Sequence, residues 1–383
     1  MTQSPFRHLP DLVIFFISLL ALGTLTVWLL QTRWAHHSKR RSNAICAVAA
    51  VLAAWLLASG FWSIPQIALG FPVWVVSWVR GTALAVGTCL CVLVPVAWFW
   101  RMAPPFDPRR RRVLNAVRVA SFGLPAVVGA FAIIRRNELR LTEIEIPVAG
   151  LAADLNGLRL VQLSDIHMSP FLSEADLEHA IGIANETRPH LALITGDLIT
   201  GPRDPIDRCI ERLRGLRADA GAIGCMGNHE HYSNVDGFTQ QYAARFGIHF
   251  LRRQAMQFRF GKAAINFAGV DYQRFYRPYL KGAEKLIAPG MLNVLLSHNP
   301  DVLKTAAAQG WDVTIAGHTH GGQVNFEVLS AGINIARFYT PYIYGLYSEG
   351  SSSLFVSRGI GTVGVPARFG APPEIALIRL RRA

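Results

Sequence analysis

The first 136 residues contain almost no acid: Asp11 and Asp107 stand against 14 Lys and Arg, whereas residues 137–383 carry 23 acidic and 24 basic side chains. The formal net charge of +13 therefore belongs to one part of the chain. A nucleic-acid binder is expected to carry positive charge on the folded domain that meets the polyanion, so this distribution excludes nucleic acid as a partner and speaks to membrane topology. Charge of either sign is scarce. Only 16% of the 383 residues are charged and 51% are hydrophobic, where a soluble globular protein has about a quarter charged. Part of the chain is expected in a lipid bilayer. Cysteine is scarce as well: Cys46, Cys89 and Cys91 lie in apolar stretches, and Cys209 and Cys225 are isolated. That excludes a zinc-type spacing and a disulfide framework, and leaves the redox compartment open.

Leu12–Thr32 runs for 21 residues without a charge, enough to cross roughly 30 Å of hydrocarbon as a helix. A cleaved leader is the competing reading. The run is too long for one, its basic flank is a single Arg7, and further apolar segments follow. Residues 44–62, 81–100 and 113–134 give three more spans, the last with Arg118 near its start, where a long side chain snorkels to the interface. Segment 64–79 is shorter and holds Pro65 and Pro72, and is expected to be interfacial or re-entrant. Trp62, Trp98 and Trp100 suit an interfacial belt. Basic residues cluster after the first span (Arg33, Lys39, Arg40, Arg41) and after the third (Arg101, Arg109 to Arg112), so these loops are expected in the cytoplasm. Four spans then put everything after Ile134 on the opposite, extracytoplasmic side of an inner-type membrane. Arg135, Arg136 and Arg140 argue the other way, and promoting 64–79 to a span would reverse the result.

Beyond residue 136 the pattern changes to short apolar runs of β character, beginning at Leu139–Pro147, with helical stretches such as Ser173–Glu186 between them. Residues 137–383 are expected to form one domain. Five runs share one design, an apolar segment that ends in a small polar cluster. Leu158–Leu163 leads to Ser164-Asp165-Ile166-His167, Leu191–Thr195 to Gly196-Asp197, and Ala222–Met226 to Gly227-Asn228-His229-Glu230. Leu292–Leu296 leads to Ser297-His298-Asn299, and Val313–Ala316 to Gly317-His318-Thr319-His320-Gly321-Gly322. In open α/β sheets, sites form beyond the carboxyl ends of strands, so the clusters are expected on one rim. Asp165 and His167, like His318 and His320, are two residues apart, which on an extended segment puts both side chains on one face. Carboxylate with imidazole suits Mn, Fe, Zn or Co better than Ca or Mg. The ligands exceed the needs of one tetrahedral ion, and two divalent transition-metal ions bridged by a carboxylate would use them all.

These blocks, in this order, resemble the signature motifs of the calcineurin-like metallophosphoesterases over about Leu158 to Leu380. They are most similar to a membrane-associated branch in which the last block reads Gly-His-Thr-His-Gly-Gly-Gln and a tail like Ser357-Arg358-Gly359 and Pro372-Pro373-Glu374-Ile375 follows. The resemblance implies an N-terminal multi-span α-helical membrane region followed by an α/β four-layer (αββα) sandwich. It implies that Asp165, His167 and His320 hold one metal, that Asn228, His298 and His318 hold the second, and that Asp197 bridges them. It implies hydrolysis of a phosphodiester, phosphomonoester or pyrophosphate by a water that both ions share and activate. His229 follows Asn228 and is assigned to no metal, so its imidazole is available to protonate the leaving oxygen. Its alternative is a structural role beneath the ligands.

Glu230 and His231 are expected at the substrate or behind the ligands, and Asp271 as the orienter of a ligand or as a strand cap. Tyr272–Tyr279, with Arg274 and Arg277, and Phe338–Tyr347 are aromatic and basic, a composition suited to lipid headgroups or to packing beneath long loops. An amphiphilic or envelope-related phosphoester is the expected substrate. The similar branch includes a UDP-2,3-diacylglucosamine pyrophosphatase of lipid A synthesis, an alternative that requires a cytoplasmic domain. A metal-binding scaffold without catalysis is the second alternative. A channel is disfavoured, because Arg118 is the one charge inside the spans.

Overall fold

A computed structural model describes residues 9–60, 69–103, 111–273, 279–328 and 331–383. The chain divides into two compact units, Met1–Ile134 with Gly364–Ala367, and Arg135–Val363 with Arg368–Ala383.

The first unit is helical: α1 (Leu9–Leu30), α2 (Lys39–Gly60), α3 (Val73–Met102) and α4 (Arg111–Ile134). All four are long and apolar enough to cross a membrane. Phe15, Leu22 and Leu25 of α1 pack with Leu56 of α2 and with Leu84, Leu90 and Ala97 of α3. Trp28 stacks on Phe122 of α4 at 5.3 Å. Outward-facing Phe16, Leu20, Val51, Trp98, Val119 and Val127 are exposed. Such a surface is an aggregation liability in water and an ordinary one in hydrocarbon. Of the segment expected to be interfacial or re-entrant, residues 64–68 lie outside the described residues, and Val73–Val79 form the first turns of α3, so that apolar helix begins eight residues before position 81. Pro72 is the N-cap of that helix, where the lack of an N–H costs no intrahelical bond. Arg109 and Arg110 fall outside the described residues, and Arg111 and Arg112 open α4.

The second unit contains two six-stranded sheets. The first takes β1 (Arg140–Val148), β2 (Arg159–Leu163), β3 (Leu191–Thr195), β4 (Ala222–Cys225) and β5 (Ile248–Phe250). The second takes β6 (Gln254–Phe260), β7 (Ala263–Gly269), β8 (Leu292–Leu296) and β9 (Val313–Ala316). A separate hairpin, β10 (Asn325–Val328) and β11 (Ala331–Asn334), follows. After it, β12 (Gly345–Glu349) and β13 (Ser352–Val356) complete the second sheet, and β14 (Glu374–Arg382) joins the first. The strand orders are β1-β14-β2-β3-β4-β5 and β12-β13-β9-β8-β7-β6. The central runs β2 to β5 and β7 to β9 are parallel.

Period-two alternation assigns each strand's side chains to two cores. Along β3, Leu191 and Leu193 enter an inter-sheet core with Phe267, Val294, Ile315 and Phe355. Ala192 and Ile194 enter an outer core with Leu177 and Ile181 of α5 (Glu174–Glu186), and with Ile210 and Leu213 of α6 (Ile206–Leu213). On the outer side of the second sheet, Ala268 and Leu295 pack with Val302, Ala306 and Trp311. The result is helix, sheet, sheet, helix. α5 starts where Ser173 accepts from Asp176 N–H and the Asp176 side chain returns the bond to Ser173 N–H, a capping box.

Candidate metal centre

The parallel strands of both sheets end at one edge of the sandwich, and cross-sheet bonds tie the ends together. Buried Gln162 on β2 donates to Thr195 Oγ1 at 2.7 Å and, across the sandwich, to Ala316 O at 2.9 Å. Thr195 Oγ1 donates to Ser164 Oγ, which donates to Asp165 Oδ2 at 2.6 Å. His318 N–H donates to both oxygens of Asp165 at 3.0 and 3.1 Å. Asp165 is thus fixed from both sheets before any ligand arrives.

The chain turns sharply at these ends. Asp165, His167, Asp197, His318 and His320 all have φ between 47° and 77°, a left-handed region that costs a non-glycine residue about 1–3 kcal/mol. Five such residues in one small volume mark a place where geometry has been kept at the expense of local stability. Gly227 is forced for a different reason, because a Cβ there would fall on Asp197 Oδ1.

The side chains converge. His167 Nε2 lies 3.1 Å from His320 Nε2 and 3.5 Å from Asp197 Oδ2, and His320 Nε2 lies 3.4 Å from Asp165 Oδ1. His298 Nε2 lies 3.1 Å from Asp197 Oδ2 and 3.9 Å from Asp165 Oδ1. Asp165, His167 and His320 form one group able to hold a cation, and Asp197, His298 and His318 another, each with its donor atoms within 4.8 Å. Asn228 opens α7 (Asn228–Ser233) and is buried, and its Oδ1 has no hydrogen-bond partner among the described residues. An orphaned amide oxygen is costly in a protein interior and suits a ligand position.

Second contacts fix the imidazole tautomers. His298 Nδ1 donates to Thr195 O at 2.6 Å, leaving Nε2 for the cluster. His229 Nδ1 likewise donates to Thr200 O at 2.5 Å. Burial and the neighbouring His229 hold His167 down to about 3, and burial with His298 does the same to His318. His320 is also depressed, by burial, His167 and Arg368. Burial opposes protonation of His298 too, but the carboxylates of Asp197 and Asp165 outweigh it and raise this imidazole to about 10. Burial raises Asp165. For Asp197 the imidazoles of His298 and His229 overcome burial and hold the carboxyl well below its usual range. His167, His318 and His320 are held neutral beside an ionised Asp197, as a divalent cation requires; His298, drawn to the two carboxylates, has to give up its proton to a cation bound there, and with that exchange the donor set fits such an ion.

The remaining expected residues divide. His229 adjoins the cluster, its ring 4.7 Å from that of His167 and its Nε2 4.0 Å from Asp197 Oδ2, with 20% of its side chain exposed. Glu230, expected at the substrate or behind the ligands, lies behind them. It is fully buried and accepts from Asp197 N (2.9 Å), Leu198 N (2.6 Å) and Gly227 N (2.8 Å), so it braces two ligand loops where no substrate reaches. His231 points outward, with Nδ1 3.9 Å from Asp236 Oδ2. Arg274 and Arg277 lie outside the described residues. Asp271 is engaged by Arg252, whose Nε donates to it at 2.6 Å.

Three contributors escaped the sequence reading. Tyr272, named in the sequence only as part of an aromatic, basic segment, packs its ring 5.8 Å from His318 and 6.4 Å from His298. Gln162 lies inside the apolar run Leu158–Leu163 and was passed over there. Arg368 is buried and donates to the carbonyls of Gly359, Gly361, Arg358 and Ala371, clasping the loop that folds over Asp165. The tail motif around Arg358 and Glu374, themselves an ion pair, was the available signal for it.

Comparison with known proteins agrees with this geometry. The family model for the calcineurin-like phosphoesterases matches residues 158–322. An uncharacterized metallophosphoesterase of Bacillus subtilis, YkuE, is 29% identical over 247 residues, 63% of this chain and 86% of that protein. The uncharacterized protein YpbG of the same organism is 30% identical over 227 residues, 58% of this chain and 81% of its own. A bovine transmembrane protein with metallophosphoesterase domain is 26% identical over 406 aligned residues, which take in 97% of this chain and 89% of that one. The chain belongs to the calcineurin-like phosphoesterases and is a metal-dependent phosphoester hydrolase with apolar helices preceding its catalytic domain.

Proposed function

We propose that this protein is a membrane-anchored phosphoesterase with two divalent transition-metal ions. Asp165, His167 and His320 would hold one, Asn228, His298 and His318 the other, and Asp197 would be shared between them. The observation that carries this reading is the convergence of five strand-end clusters from two sheets on a common set of donor atoms, with Asn228 Oδ1 left without a partner among the described residues. When bound, two such ions supply positive charge at the phosphoryl oxygens and a water acidified toward neutral pH.

The chain's own groups do the rest. His229 is oriented by Thr200 O through Nδ1, so Nε2 is the end free to carry a proton to the departing oxygen. Its partial exposure leaves that end within reach of a substrate. Glu230 and the Gln162–Thr195–Ser164 chain hold Asp197 and Asp165 in place while charge moves between the ligands. The substrate is an amphiphilic phosphoester. Support comes from Phe338 and Tyr339, 84% and 72% exposed beside Arg337 in a chain with four apolar helices. Four spans with basic loops after the first and third favour an extracytoplasmic catalytic domain.

The test is metal analysis of the purified full chain together with hydrolysis of an aryl phosphodiester in added Mn. Close to two ions per chain and Mn-dependent turnover are expected. Asp197→Asn, which replaces a shared carboxylate by a neutral amide, should lose metal and rate together; unchanged metal content and rate in that variant would refute the assignment. Protease access from each side of sealed membranes reports where residues 137–383 lie.

A further inference from the structure

Tyr272 follows β7, so it leaves the second sheet at the same edge as His298 after β8 and His318 after β9. Its ring is tilted at 56° to His318 and lies edge-on to His298 at 63°. On its other side stands Tyr232, 6.0 Å away, whose ring is 6.5 Å from that of His229. The rings of His229, Tyr232, Tyr272 and His318 therefore form an arc along the metal centre, with His229 at one end and Tyr272 over the other half. Tyr272 itself is only 9% exposed. Its Oη is buried and has no hydrogen-bond partner of proper geometry among the described residues, although Tyr232 is a near polar neighbour.

A buried phenol oxygen whose near polar neighbour among the described residues is another phenol, out of good hydrogen-bond geometry, is an expense that a phenylalanine would avoid while filling the same space. Asp271, one residue earlier, is engaged with Arg252 and offers it nothing. The neutral hydroxyl is a donor set beside two histidines proposed to hold a cation, and an acceptor brought to that cation would be brought to the hydroxyl too. We infer that Tyr272 is a substrate-binding residue, whose hydroxyl donates to a non-bridging oxygen of the phosphoryl group being cleaved. This rests on the two-ion reading of the site. The two ends of the arc then have separate tasks, His229 serving the leaving oxygen and Tyr272 holding the phosphoryl group that stays behind after that oxygen departs.

The test uses the full chain in detergent, loaded with Mn, and inorganic phosphate as the probe, because phosphate carries the group without a leaving alcohol. Tyr272→Phe keeps the ring against His298 and His318 and removes only the hydroxyl. Calorimetric titration should show phosphate binding weakened roughly 10- to 100-fold, the range for one hydrogen bond to a charged group. kcat/KM for an aryl phosphodiester should fall by a similar factor, while metal content and melting temperature stay those of the unmodified chain. Phosphate affinity and kcat/KM both within twofold of the unmodified chain would overturn the inference. So would loss of metal or of thermal stability, since the hydroxyl would then be supporting the fold. The unmodified chain separates this from the parent reading: if it binds neither metal nor phosphate, the two-ion site fails first.

Discussion

Replacement of Glu230 separates two roles that its place in the Gly227-Asn228-His229-Glu230 block leaves open. The carboxylate accepts three backbone N–H groups, two through Oε2 (Asp197 and Gly227) and one through Oε1 (Leu198), in a position with no solvent contact. Glu230→Ala strips all three of their acceptor. At about 1–3 kcal/mol for each buried donor left unpaired, the loss is about 3–9 kcal/mol, against a total stability of about 5–15 kcal/mol for a domain. Glu230→Gln is milder. Its amide oxygen can still serve Asp197 and Gly227, but its NH2 faces Leu198 N–H, so one donor is orphaned, at about 1–3 kcal/mol. For a domain of this size 1 kcal/mol shifts the melting temperature by about 2–4 °C, which gives the Gln variant a deficit of about 2–12 °C. The Ala variant should melt lower still or fail to fold. The assay is thermal unfolding of the metal-free full chain in detergent, followed by near-ultraviolet circular dichroism. If both variants melt with the parent while kcat/KM collapses, Glu230 touches substrate and the bracing argument is wrong.

Two further outcomes follow from the same geometry. His229→Ala should lower turnover by roughly 10²–10⁴-fold, as for a lost general acid, with metal content unchanged; the deficit should be large for an alkyl ester and small for a nitrophenyl ester, and equal deficits would assign His229 a positioning role. In the metal-free protein, His167 and His318 are held down to about 3, below the value near 6.5 of an unfolded histidine. The unfolded chain therefore binds protons first, and stability should fall as the pH drops from about 6.5 toward about 3. A urea titration series across that range checks it, and a flat profile would contradict the depressed values.

Much of the fold was legible because the strands are buried on both faces and read as unbroken apolar runs. Leu191–Thr195, Leu292–Leu296 and Val313–Ala316 are strands with the bounds their composition gives. The ligand clusters were legible because they sit directly at those strand ends, where the pattern breaks into Asp, Asn, His and Gly. The start of α3 was not, since Pro72 reads as a breaker and only the helix that follows turns it into a cap. Tyr272 was within reach, because the run ending at Val270 has the same strand-end design. There Asp271 drew attention as the ionisable residue, and nothing local reveals that Arg252, on a different segment, claims it. Gln162 could not be read from its run, and Arg368 only through the tail motif around Arg358 and Glu374. Their partners are main-chain carbonyls and a hydroxyl supplied by distant loops, and composition carries no trace of these.

The insertion of β14 between β1 and β2 has a temporal side. β14 pairs with β1 along Arg140↔Glu374 to Val148↔Arg382, and with β2 through Arg379↔Arg159 to Ala376↔Gln162. Arg379 and Arg381 also reach Glu143 and Glu145, 236 positions earlier in the chain. On a ribosome adding about 5–20 residues per second, β1 and β2 emerge long before the strand that belongs between them. Until then they present open edges, and edges of this kind invite pairing with the wrong partner. The loop that covers Asp165, with Ile360 N–H on Ser164 O and Gly361 N–H on Asp165 O, is made just before that strand. The last strand of the first sheet and the loop over Asp165 are thus both contributed by the final part of the domain to be translated, after every proposed ligand has already been made.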